Sequence, residues 1–302
     1  MSDSRRNLFA FGAIIASVSL LTVQPSAQTT ALRVGLVSAA ESGAAASIDR
    51  GVRLGVLEAN QTANLFGGNV VLFESPAGAR PEAAAENLLS RRKVQVLIGS
   101  SAKDADVLSR FAETHQIIFL NVVSRSLTVR SACRRYTFHI EASDSMYASA
   151  SARGAASRAP TALLWAPTLE RYGASQINSR FRTRYRLPMD GDAWAGWVAV
   201  KIASEAALRA RSTNPRLILS YLENPLTSFD GHKGWPLSFR SEDHQLRQPL
   251  YVVADASSTG SASLRDVPPL SALSRASSGE SDANKVLDVL LPKSGARCRW
   301  TR

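Results

Sequence analysis

Three short segments carry most of the side chains that could take part in chemistry, and their residue types favour hydrogen bonding. They read SAAESG (38–43), GSSAKD (99–104) and NVVSRS (121–126), and all three are rich in serine and small residues. None of them pairs a nucleophile with a base, and none has the spacing of metal ligands. This chemistry suits the binding of a small polar molecule. We therefore expect a protein that is not an enzyme and that needs no cofactor or metal.

Histidines offer the main alternative chemistry. His232 and His244 flank a polar stretch that also contains Asp230 and Asp243, so a metal site there stays open as an alternative to a solvated turn. The sequence contains no G-x-S-x-G motif, no P-loop and no dinucleotide-binding glycine pattern. Its one glycine pair, in LFGGN, precedes the strand, which is the wrong order for a phosphate-binding loop.

The elements that must position the three segments alternate between strand and helix. Apolar strand-like runs are followed by amphipathic stretches of ten to fifteen residues, as in LRVGLVSA (32–39) and SIDRGVRLGVLEANQ (47–61). Further strands are predicted at 67–75, 94–100, 117–124 and 136–143, and further helices at 80–93 and 102–116. Continuously apolar strands that alternate with helices indicate an α/β fold, a Rossmann-like parallel sheet covered on both faces. Each polar segment follows a strand, so all three should meet at the carboxyl edge of the sheet, where such folds bind ligands.

The N-terminus is typical of an exported protein. A charged start is followed by an apolar run from Leu8 to Val23 and by small residues around Pro25–Ala27, which predicts a cleaved signal over 1–27 and a periplasmic location. Arg5 and Arg6 also fit a twin-arginine signal, and the export route stays open. The net charge of +11 comes from cations that are scattered singly, which favours a solvated basic surface and no nucleic-acid partner.

Two cysteines remain after such a signal is removed. An even pair in an oxidising compartment favours a disulfide between Cys133 and Cys298, and two buried thiols are the alternative. A bond that closes a loop of this length would stabilise the fold by roughly 4 to 5 kcal/mol on chain-entropy grounds.

The order of these segments resembles the type 1 periplasmic substrate-binding proteins of ABC transporters, the branched-chain amino-acid receptor family. The resemblance covers LRVGLVSA, IDRGVRLGVLEAN, residues 67–99, IIFLNVVSRSLTVR, and the late helix that begins DAWAGWVAV. It also covers FDGHKGWPLSFRSEDHQLRQPLYVV (229–253), which looks like the closing hairpin of that family. In that hairpin we expect Gly231 and Gly234 to provide turn conformations, and Phe229, Leu237 and Phe239 to form the buried face.

Further segments are similar to a narrower subgroup, the binding proteins associated with pyrroloquinoline-quinone-dependent alcohol dehydrogenase systems. These segments are SDSMYASA, RYGASQINSRFR, the hairpin and the terminal ARCRW. The late cysteine of the subgroup supports the pairing of Cys133 with Cys298. The ligand contacts of the broader family, carried onto this sequence, imply a ligand-binding set of Ser38, Glu41, Ser100, Ser101, Val123 and Ser124. The valines at 122 and 123 depart from the amino-acid-binding members, and each serine has a helix-capping or strand-ending role as its alternative.

The middle of the chain departs from the family. Only one strand-like run, TALLW (161–165), lies where a full second lobe would stand, so we expect a truncated second lobe. The resulting organisation is a signal (1–27), a first α/β lobe (32–143), a remnant of the second lobe or linker (144–171), a late helix and hairpin that complete the first lobe (172–254), and an irregular tail (255–302).

The resemblance implies a periplasmic solute-binding component of an ABC transporter, with a small-molecule solute, the transporter's membrane subunits and a quinoprotein dehydrogenase as partners. A docking protein that binds no solute is the alternative, because a shortened second lobe puts closure over a ligand in doubt.

Overall fold

A parallel five-stranded sheet forms the centre of the protein. In the computed structural model, residues 30–40, 43–154, 162–254, 263–269, 283–291 and 298–300 are described. The strands of the main sheet are β1 (Thr30–Val37), β2 (Gly68–Glu74), β3 (Val96–Gly99), β4 (Ile118–Asn121) and β5 (Thr137–His139). They lie in the order β2-β1-β3-β4-β5, and every pairing is parallel. The predicted α/β fold is confirmed.

Helices connect these strands in the alternation that the sequence predicts. The helices in chain order are α1 (Gly43–Ala63), α2 (Pro81–Arg92), α3 (Ala105–His115), α4 (Leu127–Ser131), α5 (Asp144–Gly154), α6 (Ala174–Tyr185), α7 (Gly191–Arg209), α8 (Pro215–Leu222) and α9 (Ala283–Leu287). All four residues of β3 and of β4 are buried, although alternate side chains point to opposite faces of a strand. Both faces of the sheet are therefore covered. None of the helices in the described ranges is long and apolar enough to cross a bilayer.

Helices α1 and α7 pack in unusually close contact through glycines. A Cβ atom at Gly51 would lie 2.0 Å from the carbonyl oxygen of Ala193, and one at Gly196 would lie 2.5 Å from that of Ile48. The absence of side chains at these positions lets the two backbones touch. Trp194 and Trp197 of α7 are buried beside this contact.

The stretch 229–253 contains more strands than predicted. It forms a three-stranded antiparallel sheet of β7 (Phe229–Asp230), β8 (Pro236–Phe239) and β9 (Leu246–Arg247), and then enters β10 (Leu250–Ala254). The predicted buried face is confirmed, because Phe229, Leu237 and Phe239 are buried.

The turn of this hairpin differs from the prediction at one glycine. Gly234 has the left-handed conformation, with φ of 75°, and so does His232, with φ of 57°. Gly231 is not among the residues with positive φ, so the prediction that it provides a turn conformation is wrong. A larger residue would instead be too close to its neighbours there, because a Cβ atom at position 231 would lie 2.5 Å from the Leu237 side chain.

A second antiparallel sheet joins the middle of the chain to its tail. Its strands β6 (Ala162–Leu163), β10 and β11 (Ser263–Val267) lie in the order β11-β10-β6, and α5 packs against all three. The sequence predicts an irregular tail over 255–302, whereas the described part of it contains β11 and α9. Apolar residues of the tail, such as Val267 and Leu287, are buried in the common core, which explains the order there.

The predicted disulfide is present between Cys133 and Cys298. It holds the last described residues against the turn before β9, where the Cys298 amide donates to the Glu242 carbonyl at 2.8 Å and the Trp300 indole donates to the Ser241 carbonyl. Trp300 stacks on His244 at a ring distance of 4.6 Å.

Candidate functional site

The three polar segments lie side by side at the carboxyl edge of the main sheet. Val37, Gly99 and Asn121 are the last residues of β1, β3 and β4, and they are register partners across the sheet. The residues that follow them therefore emerge at one place.

The serines after β1 and β3 are largely occupied by the protein itself. Ser38 and Ser100 are buried. The Ala39 amide donates to Ser100 Oγ at 2.9 Å, and the Ser38 amide donates to Ser75 Oγ at 3.1 Å. Burial raises the pKa of the neighbouring Asp49, and the hydroxyls of Ser38 and Ser100 oppose that shift. These groups fix the loops, while Ser101 is only half-buried.

The loop after β4 is held in the same way. Ser124 is buried, its amide donates to Asn121 Oδ1 at 2.9 Å, and its carbonyl accepts from Asn121 Nδ2 at 2.8 Å. Val123 is half-buried. Glu41, the remaining residue of the predicted set, lies outside the described residues. Of the predicted contacts that are described, Ser101 and Val123 are the ones partly open to solvent.

A charged cluster stands next to these loops. Arg125 follows Ser124, and its Nε lies 3.4 Å from Oε1 of Glu141, which follows β5. The guanidinium carbon lies 4.0 Å from the ring centre of Tyr147, and the Tyr147 hydroxyl donates to the same Glu141 oxygen at 2.6 Å. The Arg125 side chain is 51% exposed, whereas that of Glu141 is 3% exposed. The half-exposed Arg125 side chain therefore lies beside a buried carboxylate.

Burial raises the pKa values of two acidic residues near Arg125. It raises the pKa of Glu141 to about 7, against the lowering effects of Tyr147 and Arg125. It also raises the pKa of Asp192, at the start of α7, to about 6, assisted by the charge of Asp190 and opposed by Arg125. Asp190 caps α7 by accepting from the Ala193 amide. At neutral pH the cluster therefore carries less negative charge than its composition suggests.

The buried side chain of Arg130 fixes the loops that follow β4 and β5. Its guanidinium donates to the carbonyls of Ser124 at 3.0 Å, Ser126 at 2.9 Å and Glu141 at 2.7 Å, and to Gln245 Oε1 at 2.8 Å. Burial lowers its pKa to about 10, so it stays protonated. One buried cation thereby ties the loop after β4 to the loop after β5.

The histidines do not build the alternative metal site. His232 stacks on Trp197, whereas His244 is enclosed between Phe138 and Trp300. Across the ranges that the structure describes, no group of three or more His, Cys, Asp or Glu residues is arranged to hold a metal ion.

Comparison with known proteins identifies the fold. Neither a protein-family model nor a curated protein sequence matches the chain. Among solved structures, an ABC-type branched-chain amino acid transporter protein from Rhodopseudomonas palustris aligns with a TM-score of 0.67 at 14% identity, over 78% of this chain and 95% of its own. A solute-binding protein from R. palustris in complex with benzoate gives 0.62 at 14% identity, over 78% and 95%. The binding protein LivJ from Streptococcus pneumoniae, in complex with isoleucine, gives 0.60 at 11% identity, over 79% and 99%.

The chain has the fold of ABC transporter substrate-binding proteins. The neighbours are transport proteins rather than enzymes, and at these identities the likeness concerns the fold. Open parallel α/β sheets bind ligands at their carboxyl edge, and Arg125 and the half-buried loops lie at that edge of this sheet.

Arg125 and Glu141 are not in the predicted ligand-binding set, although the sequence contains a signal for each. Arg125 stands in NVVSRS itself, and Glu141 stands in HIEAS (139–143), directly after the fifth strand. The carboxyl-edge argument applied to the first, third and fourth strands applies equally to the fifth. Tyr147 and Asp192 have no comparable signal, because helices far apart in the sequence bring them to this edge.

Proposed function

We propose that the protein is a periplasmic solute-binding component of an ABC transporter and that it binds a small carboxylate at the carboxyl edge of its main sheet. The binding-protein fold supports the class of function. We infer the ligand class from the surroundings of the Arg125 guanidinium. Its guanidinium is oriented by Glu141 and Tyr147, and its terminal nitrogens make no hydrogen bond to any other described residue.

A fixed guanidinium with free terminal nitrogens is the group that best recognises a carboxylate, because its two parallel N–H donors match the two oxygens. The compounds named in the fold neighbours, benzoate, 3,4-dihydroxybenzoic acid and isoleucine, all carry a carboxylate. Asp192 lies near enough to Arg125 for their charges to interact, so a ligand with a donor group on its other side would satisfy both.

Within the predicted ligand set we assign two roles. Ser101 and Val123, which are half-buried, would touch the ligand, and Glu41 stays a predicted contact. The buried Ser38, Ser100 and Ser124 would hold the loops in place through the hydrogen bonds that they already make.

The finer parts of the proposal rest on sequence resemblance. The segments shared with the quinone-associated subgroup support a transporter that serves alcohol oxidation, with a quinoprotein dehydrogenase as a partner. The antiparallel sheet β11-β10-β6 with α5 would be the shortened second lobe. The apolar run Leu8–Val23 supports export to the periplasm.

Calorimetric titration with matched probes tests the proposal. We expect benzoate or isoleucine to bind and their amides, benzamide and isoleucinamide, to bind at least about tenfold more weakly, since an amide cannot accept two charge-assisted bonds. Arg125→Gln should remove the difference between acid and amide. Arg182→Gln, an exposed arginine on α6, is the matched control and should keep it.

Serines that already bond to their own chain favour the docking alternative. A panel of acids, amino acids, alcohols and the quinone cofactor that gives no saturable heat, together with co-purification of a membrane subunit, would establish docking without a solute and overturn solute capture.

A further inference from the structure

The amino edge of the main sheet, opposite the candidate site, has a different chemistry. Helices α1 and α7 run in the same direction, and both end there beside the first residues of β1 and β2. Between these ends lies an open groove of about 1100 Å³ that includes Leu32, Phe66, Gly68, Arg209 and Arg211. It is distinct from the loops that follow the strands.

An apolar tip projects beside this groove. Leu65 and Phe66 form the last part of a short 3-10 turn after α1, and they are 81% and 74% exposed. Gly67, with φ of 70°, follows directly and turns the chain into β2. Two large apolar side chains exposed side by side at a turn do not contribute to the core.

Cations without acidic partners accompany the tip. Arg209 and Arg211 are exposed, and neither forms an ion pair with any residue in the described ranges. The acidic residues of the groove are already neutralised, because Glu58 pairs with Arg180 at 2.7 Å and Glu205 pairs with Lys201 at 3.4 Å. The groove therefore carries an excess of positive charge next to exposed apolar surface.

The chain enters the fold at this same edge. Strand β1 begins at Thr30, close to Leu32 of the groove. Only Gln24–Thr29 separate it from the apolar run Leu8–Val23, and six residues reach roughly 20 Å at most. A bilayer that took up this run while it is attached would therefore lie within this distance of Thr30, at the same edge of the sheet as the tip.

We propose that the amino edge is a docking surface for an anionic lipid bilayer. Leu65 and Phe66 enter the boundary between headgroups and acyl chains, and Arg209 and Arg211 lie against the anionic headgroups. An apolar wedge bordered by cations is the combination that binds such a surface. The docking does not depend on a solute, so it goes beyond the proposed function.

Vesicle sedimentation tests the proposal. The protein is taken from the exported fraction of cells, and its intact mass identifies the first residue, so that all variants share one N-terminus. The vesicles contain either phosphatidylcholine alone or a mixture with 30% phosphatidylglycerol. We expect binding only to the anionic vesicles, and we expect raised salt to weaken it.

Two double variants and their controls separate the contributions. Leu65→Ser with Phe66→Ser should lower the partition coefficient about tenfold, whereas Leu226→Ser, at a leucine that is 90% exposed elsewhere, should leave it unchanged. Arg209→Gln with Arg211→Gln should lower it about fivefold for each arginine, whereas Arg182→Gln with Arg184→Gln should have a smaller effect. Circular dichroism confirms that each variant is folded.

Three outcomes would overturn the proposal. Equal binding to neutral and anionic vesicles would show that the cations play no part. Wild-type binding by both double variants would place the contact elsewhere. Loss of a dimer on Leu65→Ser with Phe66→Ser, without any vesicle binding, would assign the tip to a second copy of the chain.

Discussion

The guanidinium carbon of Arg125 lies over the ring of Tyr147, 4.0 Å from its centre. The Tyr147 hydroxyl bonds to Glu141, and Glu141 in turn faces Arg125, so three side chains from two strand ends and one helix orient one another. The backbone on both sides of Arg125 is also held, since the Ser124 carbonyl accepts from Arg130 and the Arg125 carbonyl accepts from the Asp144 amide.

This stacking predicts different effects for two substitutions of Tyr147. Tyr147→Phe keeps the ring beneath Arg125, so the affinity for a carboxylate ligand should change less than about twofold. Tyr147→Leu removes the cation–π contact, and the affinity should fall about two- to fivefold. Calorimetric titration with the carboxylate probes measures both. Equal affinities for the two variants would show that the ring does not orient the guanidinium.

The pKa of Glu141 predicts how stability depends on pH. Burial raises that pKa from 4.5 to about 7 in the folded protein, so the unfolded chain releases its proton first as the pH rises. The free energy of unfolding should therefore fall by about 3 kcal/mol between pH 4.5 and pH 7 and then level off. Below pH 4.5 the group is protonated in both states and makes no difference.

Urea unfolding of wild type and Glu141→Gln between pH 4.5 and pH 8 isolates this group. The difference in stability between the two proteins should shift in favour of the variant by about 3 kcal/mol over that range. For Glu82→Gln, an exposed control, the difference from wild type should stay constant. A constant difference for Glu141→Gln as well would mean that folding does not shift the pKa of Glu141.

The disulfide predicts a large loss of stability on its removal. Cys133 and Cys298 are separated by 165 positions, and the bond restricts the unfolded chain over that whole length. Cys133→Ser with Cys298→Ser should lower the free energy of unfolding by about 4 kcal/mol. Urea titration with and without a reductant measures the loss, and the reductant should affect wild type only. A variant as stable as oxidised wild type would contradict the prediction.

The contact between α1 and α7 predicts that the loss of stability on replacing a glycine by alanine depends strongly on its position in α1. Gly51→Ala should cost more than about 2 kcal/mol, since the new Cβ would meet the Ala193 carbonyl and force the helices apart. Gly43→Ala lies in the same helix with nothing within 4 Å of the added atom, so it should be close to neutral. Thermal unfolding of both variants is the measurement, and similar losses would rule out the steric explanation.

Much of the fold could be predicted because the relevant signals are local. The apolar runs at 32–39 and 117–124 and the spacing of Ile48, Val52 and Ala59 each fall within a single element. The tail was harder to predict, because β11 gains its order by pairing with β10 and not from its own composition.

The candidate site was only partly predictable for a related reason. A serine hydroxyl that binds a ligand and one that bonds to its own backbone look the same in a sequence, and Ser100 proves to bond to Ala39. Arg125 and Glu141 meet through the pairing of neighbouring strands, which no spacing along the chain expresses.

All strands of the main sheet run in the same direction, so every strand begins at one edge and ends at the opposite edge. The loops after the strands therefore gather at one edge, and the exposed apolar tip and the exposed arginines beside it lie at the other. β1 has eight residues and separates those edges by roughly 25 Å. A solute at the carboxyl edge and a bilayer at the amino edge would therefore not collide. If both proposals hold, the protein could bind and release its solute without leaving the membrane surface.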